Sequence, residues 1–334
     1  MTIKLQTPYL LFTGNADERI SAKTAVAIAE FRPEFCMGYN KMAGSKLILT
    51  NLPELTIKEA ATKGAKTFII GLANSGGFIA DEWLPAILTA ISCGLDIASG
   101  LHVRLEHVAI IKEAAEKFKV KLHDVRFSTE NFTTATGLKR GGKRILTVGT
   151  DCSSGKMYTA LMVERALNQR GKKAHFVATG QTGILLNSSG IAVDAVIADF
   201  IAGAVEYMTP ALADDQYYVI EGQGSLYHPS FAGVSLGLLH GAAPDYLILC
   251  HDAARKHMRH LPDYKLPDLG ACMKLNEQLG SLTNRNIKTI AISCNTSNMQ
   301  EGAALDYLAK IESEFNLPAG DPFRFSADKL LKLT

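Results

Sequence analysis

No run of about 18 consecutive apolar residues occurs along the chain, so no membrane-spanning helix is expected. Paired metal-site cysteines are missing too. Cys36, Cys93, Cys152, Cys250, Cys272 and Cys294 stand apart with no Cys-x-x-Cys among them, which argues against a zinc or disulfide framework. Several lie in apolar runs, the usage of reduced thiols, so a cytoplasmic location is expected. Charge of one sign is equally lacking. The 35 Lys and Arg face 33 Asp and Glu, for a net charge of +2, which removes the electrostatic case for nucleic acid or an anionic membrane as partner. The opening MTIKLQTPYLLFTG has no basic region, long apolar run or small-residue cleavage site, so it reads as a first strand and not as a signal peptide. Internal repeats, coiled-coil heptads and low-complexity tracts are lacking as well.

What is present is a globular composition, 47% hydrophobic and 20% charged, in 334 residues, enough for two domains. Short apolar runs alternate with amphipathic stretches, the pattern of an α/β protein with parallel sheets. Strands are expected near Tyr9–Phe12, Phe35–Gly38, Lys46–Thr50, Thr67–Gly71, Asp96–Ala98 and Lys121–Arg126. Helices are expected near Asp17–Glu30, Ile57–Lys63, Asp81–Cys93 and His107–Phe118, with Thr56 capping the second. Ser128–Arg144 breaks this rhythm. It is rich in Thr and Gly and ends in the basic Lys139–Arg144, read as a solvated linker, so the domains are placed at 1–138 and 139–334. The second half restarts with a strand at Ile145–Val148 and a helix at Lys156–Gln169. Further strands are expected at Ala174–Ala178, Ala195–Ile197, Tyr217–Glu221, Tyr246–Cys250 and Thr289–Ser293.

Between that first strand and helix lies Gly149-Thr150-Asp151-Cys152-Ser153-Ser154-Gly155-Lys156, a G-x-x-x-x-G-K phosphate loop in its required setting. The glycines let the backbone curl so that successive N–H groups face inward, the helix N-terminus adds partial positive charge, and Lys156 adds a full one. The usual motif continues with Ser or Thr, whose hydroxyl holds Mg²⁺; here Met157 follows, leaving Thr150 or Thr159 as substitutes. A loop of this kind is suited to gripping a phosphate more than to cleaving one. No metal site is expected elsewhere: the three histidines of His251–His260 have basic neighbours that would repel a cation. That stretch reads as a solvated helix face or as an anion-recognising segment.

Three later segments are expected to end strands at the same sheet edge, where open α/β sheets bind ligands. They carry Gln181 and Thr182, then Asp199, then Glu221 followed by Gly222-Gln223-Gly224-Ser225. A carboxylate so placed can orient a water or an amine. In the first half, Asn74 and Ser75 sit in a glycine-rich turn after a strand and are candidates for lining a substrate pocket.

Taken in order, the loop, Gln181-Thr182-Gly183, Asp199 and Glu221-Gly222-Gln223-Gly224 make the second half similar to the dethiobiotin synthetase-related branch of P-loop proteins. The whole chain more closely resembles a family long labelled as of unknown function that contains D-glutamate N-acetyltransferase. Its signatures are the loop Gly149–Met157 and the run Glu221–Pro229. The resemblance implies a Rossmann-like parallel-sheet domain followed by a P-loop NTPase-like domain. It also implies transfer of the acetyl group of acetyl-CoA to the amine of D-glutamate, with no metal and a small acidic substrate; the size of the chain, and not the resemblance, suggests a homo-oligomer. Under that reading Gly149, Thr150, Asp151, Cys152, Ser153, Ser154, Gly155, Lys156 and Met157 hold the donor's phosphates. Glu221 is the first choice for the base, with Asp199 and His228 behind it, while Arg255 or Arg259 pairs with a substrate carboxylate. Cys152, beside a helix N-terminus and a lysine, is expected to have a lowered pKa, which would permit a covalent acetyl carrier. Competing readings are an ATP-dependent ligase or kinase, with Asp199 and Glu221 on Mg²⁺, and a nucleotide-switched regulatory protein.

Overall fold

The structure, a computed structural model, describes residues 5–19, 21–72, 77–128, 130–259 and 261–332. It divides into two compact units, residues 1–130 with 180–192, and residues 131–179 with 193–334. The expected break between residues 138 and 139 falls inside the first stretch of the second unit, and the excursion 180–192 has no counterpart in the sequence reading.

In the first unit, β1 (Tyr9–Gly14), α1 (Lys23–Phe31), β2 (Cys36–Lys41), α2 (Ile57–Thr62), β3 (Thr67–Ile70), α3 (Leu84–Ser92), β4 (Asp96–Ser99), α4 (Ala109–Phe118) and β5 (Leu122–Asp124) follow one another. The five strands form one parallel sheet in the order β2-β1-β3-β4-β5. Strands buried on both faces must be apolar throughout, and Leu10, Leu11, Phe12, Phe68, Ile69 and Ile97 are indeed buried. α2 opens with a reciprocal capping box between Thr56 and Glu59.

Two expectations fail here. The helix expected over Asp17–Glu30 begins only at Lys23, and the Asp17 carboxylate instead accepts from the Lys46 N–H at 2.9 Å. Lys46–Thr50 alternates buried and exposed residues as a strand would, yet pairs with no strand among the described residues; Glu54 forms the bridge to Tyr39 of β2.

The second unit runs β6 (Lys143–Gly149), α5 (Lys156–Gln169), β7 (Lys173–Val177), and then α6 (Gln181–Asn187), which belongs to the first unit. It resumes with α7 (Ile201–Met208), β8 (Gln216–Ile220), α8 (Ala232–Ala242), β9 (Tyr246–Asp252), β10 (His257–Met258), β11 (Leu261–Lys265), α9 (Leu269–Gly280), β12 (Lys288–Asn295), α10 (Glu301–Phe315) and β13 (Ala319–Gly320). Six strands form a parallel sheet in the order β13-β12-β9-β6-β8-β7, so the loop-bearing β6 is central. Leu146, Val148, Ile220, Leu247, Leu249 and Ile292 fill its core against Leu238, Leu239 and Leu308 of the flanking helices.

The segment read as a basic linker is structural. Arg144 is 1% exposed and donates to the carbonyls of Arg140, Thr209 and Pro210, while Arg140 donates to Thr209 and Gly241. Burial pulls the Arg144 guanidinium down to about 10. The stretch His251–His260, read as a helix face, is not helical among its described residues: β9 ends at Asp252, and β10 at His257–Met258 pairs antiparallel with β11.

The phosphate loop and its surroundings

β6 delivers the chain at Gly149, and the loop turns with Ser153 at φ 50° and Gly155 at φ 94° before α5 begins at Lys156. Those left-handed residues aim successive N–H groups to one side. Among the described residues nothing accepts from the N–H groups of Ser153, Ser154, Gly155, Lys156 or Met157. Lys156 is only 6% exposed, and its Nζ donates to the Asp151 carbonyl at 2.7 Å and the Ser154 Oγ at 3.4 Å. No carboxylate among the described residues forms an ion pair with it, and burial pulls its pKa down. A buried ammonium beside unpartnered amides is a receptor for an anion.

Asp151 is the hub that fixes this loop. It is fully buried, with Oδ1 accepting from the Cys152 N–H at 2.7 Å and Oδ2 accepting from Arg255 Nη1 and the Arg259 N–H, each at 2.7 Å. Arg255 also donates to the carbonyls of Cys152 and Ser153 and to Asp252, so its guanidinium braces the outer side of the loop. Arg259 donates Nη1 to Ser153 Oγ, and its other guanidinium donors have no protein partner among the described residues. Spacing gives no hint of this network, since the arginines lie more than a hundred residues from Asp151 in sequence.

The hydroxyls that might replace the absent Ser or Thr ligand are engaged. Thr150 Oγ1 shares a hydrogen bond with His251 Nδ1 at 3.1 Å, and Thr159 Oγ1 shares one with Ser293 Oγ at 2.8 Å. Cys152 corrects another expectation: burial pushes its thiol up, outweighing the nearby Lys156 that favours the thiolate. Its Sγ, an Asp151 carboxylate oxygen and a His228 ring nitrogen lie within 4.8 Å of one another.

Glu221 follows β8 and is 4% exposed, its Oε2 accepting from the Thr179 N–H at 3.0 Å and its carbonyl accepting from Thr179 Oγ1. Gly222 comes next, against the stem of Lys156; a Cβ there would lie 3.0 Å from the lysine Cδ. His228 is 2% exposed and stacks on Phe231 at 4.5 Å. Glu221, Gly222 and His228 thus gather with the loop inside one unit.

Asp199 is exposed on a single 3-10 turn, Ala198–Phe200, and residues 195–197 form no strand. Gln181 and Thr182 open α6, with Thr182 Oγ1 bonded to Thr24 Oγ1 of α1 at 3.2 Å. Asn74 and Ser75 lie outside the described residues. Thr179, which holds Glu221, lies in the polar turn Ala178–Gly183 that the sequence marks after a strand, whereas Ser230, which holds His228, carries no motif that would have marked it.

Comparison with known proteins places these features in a family. Residues 132–331 match a P-loop domain described as a domain of unknown function, DUF1611_C, and residues 41–128 match its Rossmann-like companion, DUF1611_N. The chain is 46% identical over 98% of its length to a D-glutamate N-acetyltransferase of Tritonibacter scottomollicae, 98% of which is covered. It is 44% identical, again over 98% of its length, to one from Pseudoalteromonas sp., 99% of which is covered. A DUF1611 family crystal structure from Anabaena variabilis superposes with a TM-score of 0.86 at 31% identity, covering 98% of both chains. With both domains matched and full-length relatives at this identity, the chain belongs to the DUF1611 family.

Proposed function

We propose that the chain is a D-glutamate N-acetyltransferase that takes its acetyl group from acetyl-CoA. The observation that carries this reading is identity of 44–46% with two enzymes of that name across 98% of the chain. The loop agrees with it. Coenzyme A brings phosphates that must be gripped and left intact, and the unpartnered N–H groups of residues 153–157 with the Lys156 ammonium fit them. Met157, standing where a metal-binding hydroxyl is usual, suits the same task.

Direct transfer is favoured over an acyl-Cys152 route, because burial disfavours that thiol as a nucleophile. The amine nitrogen bonds to the thioester carbon, the carbon–sulfur bond breaks, and the proton lost by the amine passes to the departing sulfur. Glu221 is the base that carries this proton, its carboxylate aimed by the Thr179 N–H. Arg259 is the partner for a substrate carboxylate, because Arg255 already braces the loop.

Incubation of the pure protein with acetyl-CoA and a panel of L- and D-amino acids tests this. Thiol release is expected with D-glutamate and without ATP or magnesium. Silence across the panel, with ATP hydrolysis present, overturns it in favour of the ligase or kinase reading.

A further inference from the structure

His228 is held from several sides. Its backbone N–H donates to the Ser225 carbonyl, and its own carbonyl accepts from the N–H groups of Phe231 and Ala232. Phe231 stacks on the ring, and the Ser230 N–H donates to Nδ1 at 3.2 Å. A ring nitrogen that accepts a backbone N–H carries no proton of its own, so the neutral imidazole has its proton on Nε2. That Nε2 is buried and makes no hydrogen bond among the described residues.

The nearest carboxylate oxygen is Asp151 Oδ1 at 4.0 Å, beyond hydrogen-bond range. Asp151 cannot readily swing closer, because the Cys152 N–H, Arg255 and the Arg259 N–H all pin it. A donor is therefore fixed beside the phosphate loop with no acceptor among the described residues.

The spacing of Asp151, Cys152 and His228 would also admit a metal ion. The tautomer argues against one: a protonated Nε2 has no lone pair to give, and Arg255, Arg259 and Lys156 already surround the spot with positive charge. The ligand that fits is an oxygen bearing negative charge. The phosphates have the residue 153–157 amides and Lys156; the thioester oxygen, which gains charge as the amine attacks, needs a donor of its own.

We propose that His228 donates its Nε2–H to the thioester oxygen of the acyl donor and acts as a neutral electrophile and not as a base. The inference rests on the acetyltransferase reading, and activity of the unaltered protein checks that reading separately.

The test compares His228→Ala with His228→Gln, whose amide N–H₂ can stand near Nε2 but cannot take up a proton. His228→Ala is expected to lower kcat about 100-fold, the usual effect of losing one such donor, while calorimetric Kd for coenzyme A stays close to that of the unaltered protein. That retained binding also shows the variant is folded. His228→Gln is expected to regain much of the lost kcat. Equal inactivity of both variants, with coenzyme A still bound, would make His228 a base and overturn the proposal. So would weakened coenzyme A binding with kcat preserved, which would assign the donor to a phosphate. So too would stoichiometric zinc in the unaltered protein that His228→Ala removes.

Discussion

The Lys156 ammonium is buried against a carbonyl and a hydroxyl, and that asymmetry makes its affinity for an anion depend on pH. Burial lowers its pKa in the free protein, and an arriving phosphate favours the charged form, so the pKa rises on binding. The sign follows from linkage. Binding is helped while the free lysine is protonated, and affinity falls as pH rises through the lowered free value. Lys156→Ala should weaken coenzyme A binding by roughly 10- to 100-fold, corresponding to the ~1.5–3 kcal/mol of a hydrogen bond to a charged group. It should also flatten the alkaline loss of affinity. Isothermal titration across a pH series reads both effects, and an unchanged Kd would remove Lys156 from the grip.

At the scale of elements, β6 and β8 meet where the site is built, and their contact at Gly222 admits no side chain. A Cβ on Gly222 would stand 1.7 Å from the Thr147 carbonyl oxygen, a backbone atom that cannot rotate away. Gly222→Ala must part β8 from β6, shifting Glu221 and the Lys156 stem together. A loss of about 3 kcal/mol is expected from such overpacking, read as a lower urea midpoint, with weaker coenzyme A binding. An unchanged midpoint would show that the strands part freely. The same elements show what sequence can reveal. The loop was legible because its motif is local, a strand followed at once by the residues it positions, and Glu221 directly follows β8 in the same way, whereas His228 came only from the family signature. The bracing arginines were not legible, because the β10–β11 hairpin returns them to Asp151 across the fold. Lys46–Thr50 misled for a different reason: its alternating burial is real, but a strand also needs a partner, which periodicity does not report.

Over the whole molecule, the chain leaves the P-loop unit after Thr179 and rejoins it at Val193, and the Val193 N–H donates to the Thr179 carbonyl at 3.0 Å. The excursion is therefore closed at its base within the second unit, while its helix α6 is packed in the first. Ile184, Leu185 and Leu186 are each 0% exposed there, Tyr9 Oη bonds Ser188 Oγ, and Gln181 lies against Gly100. Periodicity along one sequence cannot reveal which unit a short apolar helix joins, and so the excursion of residues 180–192 was not legible. A fragment of residues 131–334 would expose three apolar side chains, each worth about 1.5–3 kcal/mol when buried. It should bind an apolar dye and aggregate. Replacing residues 180–192 by a short Gly-Ser linker should restore a soluble, cooperatively unfolding fragment, because the Thr179–Val193 closure needs nothing from the excursion. If the unmodified fragment is monomeric, dye-silent and cooperative, α6 packs equally well without the first unit, and the division of the chain proposed for it fails.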